Sequence, residues 1–211
     1  MPIYVPPHFS ESRPEVLDAF VRKYPLASVI THTGDEMFAS HIPLTLDVLA
    51  DGSRRLQGHF ARGNPQWRTA QDGGRALAIF HGPQAYVTPS WYPSKRINGR
   101  VVPTWLYVVV HVEGRIAIVD DRDYLERHLR ALTHDHEHAR ARPWGVDDAP
   151  PEYLDATMKR IVPFEITATR MSGKWKLDQN QPAHNRDGVA EGLLEAEQQV
   201  LSALVRKDRV V

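Results

Sequence analysis

Hydrophobic positions recur along this chain at two periods. Val16, Leu17, Phe20 and Val21 come at helical spacing; Ser10 or Ser12 is available as a cap, Pro14 suits the first turn, and Pro25 stops the run. Residues 26–32 (LASVITH), 37–42 and 55–60 are rich in β-branched and aromatic side chains and read as short strands, broken at Gly34, at Pro43 and at Asp51–Gly52. Asp51–Gly52 is a tight-turn pair, so residues 44–49 and 54–60 are expected to form a hairpin. Two further apolar runs, 77–80 and 101–112, follow a turn at Gly73–Gly74, and Glu113–Gly114 is expected to fold the second run back onto 115–119. Side chains alternate along a strand, so Trp105, Tyr107 and His111 share one face.

The second half alternates helices with strands. Asp120 or Asp121 caps a helix that carries Leu125, Leu129 and Leu132 on one side. A short helix is expected over 152–161, ended by Pro163, and then a half-exposed strand over 164–171. After Ser172–Gly173 comes KWKLDQN, and a last helix runs over 188–206 into a charged tail. The first nine residues form a proline-rich extended arm with Tyr4, Val5 and Phe9 placed to pack. A meander of short strands with peripheral helices suits an antiparallel barrel of the mainly β, α+β class.

Three segments concentrate polar chemistry. Between the apolar runs, Trp91, Tyr92, Lys95, Arg96 and Arg100 sit among Pro89, Pro93 and Gly99, a set that either anchors the loop to the core or offers aromatic surface and charge to a ligand. In Gly58–Trp67, Arg62 suits a phosphate and Asn64 an amide-like ring edge; the plainer reading is an Asn-Pro turn with a surface arginine. In KWKLDQN, Lys174, Lys176, Gln179 and Asn180 beside Trp175 suit a phosphate and a ring, or a solvated turn. A fourth segment holds His134, His136 and His138 alternating with Asp135 and Glu137. Residues two apart do not face each other on a helix, and a polar histidine-rich loop is ordinarily solvated, so no metal site is expected there beyond capture of nickel or zinc during purification.

Composition narrows the classes. Lysine plus arginine balance aspartate plus glutamate at 26 each over 211 residues, so no overall field draws the chain to nucleic acid or to an anionic membrane. With no helix–turn–helix readable either, direct DNA binding is not supported. The chain has no cysteine, which excludes disulfides, thiolate catalysis and cysteine-ligated metals. No apolar run reaches membrane-spanning length and the start lacks a basic then apolar leader, so a soluble cytoplasmic protein is expected. Neither the Rossmann nor the P-loop glycine pattern occurs, and no nucleophile elbow surrounds Ser90 to recruit His81, so catalytic residues stay unassigned.

The stretches HGPQAYVTPSWYPSKRINGRVVPTW at 81–105, GHFARGNPQW at 58–67 and GKWKLDQN at 173–180, with MPIYVPPHF at the start and ASHIPL at 39–44, resemble the signature set of the PaiB-type family. The resemblance implies an FMN-binding split β-barrel over residues 1–192, with 193–211 as the rest of the last helix and tail, packed on the barrel or on a dimer partner. Members of that family are described as negative transcriptional regulators. FMN requires charge-assisted bonds to its phosphate, partners along the pyrimidine edge of its ring, and cover for the dimethylbenzene end. Carried over by motif, Arg62, Lys95, Ser90, Thr104 and Lys176 are candidates for the phosphate and ribityl chain. Asn64, Gln179 and Asn180 are candidates for the ring edge, and Trp91, Tyr92 and Trp105 for cover.

Similar flavin barrels bind FMN across a homodimer interface. The implied function is a flavin-dependent oxidoreductase or a flavin sensor, and whether the chain is an enzyme stays open. The alternatives are a cofactor-free regulator acting through a protein partner, or a haem-binding relative using His8 or His111. Two positions depart from the family pattern, Leu106 where asparagine is expected and Asp178 where serine is expected.

Overall fold

The computed structural model describes residues 3–70 and 73–207; the first two residues of the arm and the last four of the charged tail lie outside the described residues. In chain order the elements are β1 (Ser10–Glu11), α1 (Pro14–Lys23), β2 (Leu26–Thr33), β3 (Glu36–Pro43), β4 (Thr45–Val48), β5 (Arg54–Ala61) and β6 (Arg75–Val87). They continue as α2 (Ser94–Asn98), β7 (Thr104–Ile118), α3 (Arg122–Glu137), α4 (Pro151–Met158), β8 (Ile161–Lys176), α5 (Ala183–Glu195) and α6 (Gln199–Arg206). Contacts divide the chain into one unit of residues 18–80 and 111–171 and another of residues 1–17, 81–110 and 172–211.

The first unit is a sheet in the order β3-β2-β6-β7-β8-β5-β4, with β3 and β4 as its edges, so the ladder does not close. Every pairing with a defined register is antiparallel. The strand pattern predicts an antiparallel barrel, and the sheet is the split form of it that the family resemblance implies. The expected hairpin is present: β4 and β5 pair through Leu46 and Leu56, and Gly52 takes a φ of 80° in the turn between them. On the inner face Phe60 stacks on Phe164 with ring centres 4.4 Å apart. Gly58 makes that packing feasible, because a Cβ there would lie 2.5 Å from Leu44 and 2.9 Å from Phe164.

Several breaks expected from the sequence are absent, for a common reason. Gly114 does not turn the chain; β7 runs straight through it, and its missing Cβ admits the Thr167 carbonyl of β8, which would lie 2.4 Å from that atom. Pro163 does not end a helix. It lies within β8 opposite His59, where its carbonyl accepts from the Val119 N–H at 3.1 Å, and α4 stops earlier, at Met158. The histidine-rich segment is not a loop through 134–137: α3, capped by the Asp121 carboxylate on the Tyr124 N–H (2.9 Å), continues to Glu137, since nothing before Pro143 forbids a helix.

The outer face of β4, β5 and β8 is polar, and α3 covers it. Asp47 accepts from Arg55 (3.0 Å) and Gln57 (3.1 Å), and Arg55 also meets Glu165 at 3.1 Å. From α3, His128 Nε2 faces His59 Nδ1 at 3.2 Å. Thr45 Oγ1, Arg55 Nε, Tyr124 Oη and His128 Nδ1 are buried in this unit without a hydrogen-bond partner among the described residues. Burial lowers the affinity of both imidazoles for protons, and the Asp47 carboxylate offsets this only in part at His128.

In the second unit β1 pairs with the end of β8, Glu11 opposite Gly173. Gly173 is again a point of close approach inside a strand and not a turn; a Cβ on it would meet the Trp175 ring at 2.3 Å and the Glu11 carbonyl at 3.1 Å. The expected single last helix is two, α5 and α6, because Glu197 takes a left-handed φ of 59° between them. Ser202 Oγ then donates to the Ala190 carbonyl at 2.7 Å and fastens α6 to α5. Among the described residues no helix is long and apolar enough to cross a membrane.

The buried histidine pair makes stability depend on acid. Burial first, and the neighbouring His59 second, hold His128 down to about 4 from its ordinary value of 6.5. Between those values the unfolded chain binds the proton and the folded chain does not, so stability rises with pH across that window. Removing the ring with His128→Leu is expected to cut the loss of unfolding free energy between neutral pH and the lower end of the window by on the order of 2 kcal/mol. Urea unfolding across that range checks it, and an unchanged slope in the variant would show that the pair does not set the acid response.

Candidate functional site

The loop after β6 is fixed from several sides within its unit. Thr88 Oγ1 accepts from the Ser90 N–H (3.3 Å) and caps a 3-10 turn at Pro89–Trp91. The Trp91 indole lies against α5 where there is no side chain: a Cβ on Gly192 would sit 2.3–2.4 Å from the ring, and one on Gly188 would sit 2.2 Å from the Trp91 carbonyl. Tyr92 follows and is buried, its hydroxyl donating to Asp178 Oδ2 at 2.6 Å. Ser94 closes the loop onto the start of α5, accepting from or donating to His184 Nε2 at 2.9 Å and donating its N–H to Asn185 Oδ1 at 3.2 Å.

Beside this loop one strand face presents aromatic rings and ammonium groups. Gln84 and Tyr86 from β6, Trp105 and Tyr107 from β7, and Lys174 and Lys176 from β8 lie two apart on their strands, as alternation requires. Tyr86 and Trp105 meet edge to face with centres 6.1 Å apart, and each remains about half exposed, at 50% and 48%. Trp105 Nε1 donates to Gln84 Oε1 at 3.0 Å, which sets the indole's orientation. Lys176 Nζ donates to Thr104 Oγ1 (2.5 Å) and to the Trp105 carbonyl (2.8 Å), and Lys95 Nζ donates to Ser90 Oγ (3.0 Å). Lys174 is buried between the Tyr4 and Tyr107 rings, its ammonium 5.5 and 5.4 Å from their centres.

The other residues singled out in the sequence are distributed differently. Arg62 and Asn64 belong to the sheet unit. There Arg62 donates to the Lys159 (2.8 Å) and Ile161 (3.2 Å) carbonyls, while the Asn64 amide donates to Ser40 (2.8 Å) and accepts from the Gln66 N–H (3.0 Å). Gln179 folds back on its own turn, accepting from the Leu177 N–H and donating to the Trp175 carbonyl, and Asn180 is exposed. Of the three rings expected to give cover, Trp105 is the exposed one; Trp91 and Tyr92 are engaged in holding the loop. Leu106 is fully buried on the opposite side of β7 from Trp105, so this departure leaves the aromatic face unaltered. His8 packs edge-on against Phe9 and His111 is half-buried among neighbours. Tyr86 and Gln84 were not singled out, although their period-two spacing in HGPQAYV matches that of Trp105 and Tyr107 across the sheet.

Residues 3–170 match the family described as "Putative FMN-binding domain". The chain belongs to this family. It is 32% identical over 191 residues to the Protease synthase and sporulation protein PAI 2 of Bacillus subtilis, a similarity covering 90% of this chain and 89% of that one. Among solved structures it resembles the FAD and Heme binding protein from Mycobacterium smegmatis, with a TM-score of 0.57 at 17% identity over 79% of this chain and 73% of that one. It also resembles the Flavocytochrome Anf3 from Azotobacter vinelandii, with a TM-score of 0.56 at 14% identity over 79% and 69%. At those identities the two structures establish the shared fold. Family membership makes FMN the cofactor of this chain, and the PaiB-type resemblance holds.

The residues present fit that cofactor's chemistry. Two ammonium–hydroxyl pairs, Lys95 with Ser90 and Lys176 with Thr104, carry no ion pair to a carboxylate among the described residues and are therefore able to neutralise a phosphate. The half-exposed Trp105 and Tyr86 offer apolar area for a planar ring.

Asp178 carries the other departure from the family pattern. It is buried, with a φ of 60°, a conformation that aspartate tolerates better than most side chains. Burial raises its carboxyl above the ordinary 3.8, while the Tyr92 hydroxyl and the Lys176 charge pull the other way. The folded chain thus holds this proton more tightly than the unfolded chain, and stability falls as pH rises from 3.8 through the raised value. Asp178→Asn keeps an acceptor for Tyr92 and cannot ionise, so its stability relative to wild type is expected to increase with pH across that window; a constant difference in parallel denaturant titrations would count against it. Gly192→Ala is expected to cost about 1–3 kcal/mol, because the added methyl overlaps a ring that cannot retreat. Unchanged or higher stability in the same assay would contradict the close approach.

Proposed function

We propose that this chain is a flavin-loaded oxidoreductase or sensor whose FMN lies against the aromatic and cationic face of β6, β7 and β8, and that it works as a homodimer in negative transcriptional control. The observation that carries the reading is the pairing of two carboxylate-free ammonium–hydroxyl sets with the half-exposed Trp105 and Tyr86 on one unit. Lys95 with Ser90 and Lys176 with Thr104 hold the phosphate and ribityl chain, and Trp105 with Tyr86 covers the ring. Trp91 and Tyr92 act behind them by fixing the loop, and Gln179 shapes the turn that exposes Asn180 to the ring edge.

When bound, FMN supplies hydride or single-electron transfer. The protein's part is to bind, orient and exclude water. Lys174, buried between two tyrosine rings, adds positive potential to the face without needing a carboxylate there. Tyr86, Ile97, Val102 and Trp105 are exposed apolar side chains within residues 81–110, a concentration that favours cover by a second copy. Regulation then follows from the state of the flavin or from a partner protein, since balanced charge gives no overall field toward DNA.

FMN fluorescence titration, with mass in solution recorded, is the test. Wild type is expected to quench FMN at dimer mass, and Lys95→Ala and Lys176→Ala each to weaken binding by about 1–3 kcal/mol, roughly fivefold to 150-fold in Kd. Unchanged affinity in both lysine variants would remove this face from the site, and binding at monomer mass would remove the partner.

A further inference from the structure

We propose that His134 and His138, at the C-terminal end of α3, form a surface site for a late first-row divalent cation such as Cu(II), Ni(II) or Zn(II). Because α3 continues through Glu137, the two histidines stand four residues apart and one turn from each other. Their rings lie side by side, with centres 5.1 Å apart and planes at 26°. That is the spacing at which a helix presents two imidazoles to one ion.

The His138 ring is already oriented. Its Nδ1 lies 2.9 Å from the His134 carbonyl, which also accepts the His138 N–H at 3.0 Å. A carbonyl can only accept, so Nδ1 carries the proton and Nε2 presents its lone pair, the tautomer in which metal-bound histidines are commonly held by a backbone carbonyl. The chain beyond is also held, with Glu137 Oε1 on Arg140 at 3.0 Å and its Oε2 accepting from the Trp144 N–H at 3.1 Å. The end of α3 is the negative end of the helix dipole and favours a cation. Both rings are exposed, so an ion reaches them without desolvating buried groups.

Among the described residues no cluster of three histidine, cysteine or carboxylate side chains is placed to hold a metal. Two imidazoles therefore supply the protein's share, and water or a ligand from solution takes the remaining positions. Nitrogen donors of this kind select copper, nickel and zinc over calcium and magnesium, with copper held tightest. His136 serves as the internal control, since it lies roughly 200° around the helix from His134.

Tag-free, full-length protein stripped with chelator and titrated with Cu(II), Ni(II) and Zn(II) by calorimetry tests the site. The expected result is one ion per chain, copper tightest, with His134→Ala and His138→Ala each weakening binding by about tenfold or more. His136→Ala is expected to leave affinity unchanged. All three positions are exposed, and circular dichroism confirms that the variants keep their fold. The proposal is overturned if wild type takes up none of the three ions, if His136→Ala loses as much affinity as His134→Ala, or if both ring deletions bind like wild type.

Discussion

The arrangement of the cationic loop depends on two missing side chains. Gly188 and Gly192 leave one flank of α5 bare, and Trp91 occupies it with both its ring and its carbonyl. A glycine inside a helix costs roughly 0.5–1 kcal/mol against alanine, so the two together cost α5 about 1–2 kcal/mol. Burying part of an indole at about 25 cal/mol per Å² offsets that cost. Once Trp91 is seated, Tyr92 enters the core beside it, and the short helix that follows carries Lys95 back toward Ser90. The cations and rings of the proposed flavin face thus rest first on the apolar seat of Trp91 against two glycines.

The sheet unit solves a different problem. Its inner face is apolar and closed by stacked phenylalanines, whereas the outer face under α3 is a network of one aspartate, one glutamate, an arginine, a glutamine and two histidines. Partnered charges there are tolerable because both carboxylates meet the Arg55 guanidinium. The two imidazoles face each other, and a single proton between them is the most that a 3.2 Å nitrogen–nitrogen contact accommodates. This face holds α3 by specific geometry more than by buried apolar area.

Much of this was legible in the sequence. The Asp51–Gly52 hairpin, the Asp121 cap, the shared face of Trp105 and Tyr107 and the motif stretches of the family all follow from local chemistry or from resemblance. What was not legible were the meanings of Gly114, Pro163 and Gly173. Each is a local signal for a break, yet each sits inside a long strand because a neighbouring strand comes close enough to need the space, or because a carbonyl suffices where a proline has no N–H. Those contacts are between residues far apart in the chain, and no local window contains them. The same holds for the candidate site: Lys95 and Lys176 announce themselves by type, but the pairing of Tyr92 with Asp178, 86 positions apart, does not.

The left-handed backbone at residue 178 has a consequence for how this sequence can drift. Position 178 is least strained with glycine, asparagine or aspartate, and of these only the last two answer the Tyr92 hydroxyl. Replacing the tyrosine by phenylalanine strands a buried acid, and replacing the acid by an aliphatic residue strands a buried phenol. The two positions are therefore coupled: a change at either one leaves the other's buried polar group without the partner it has now.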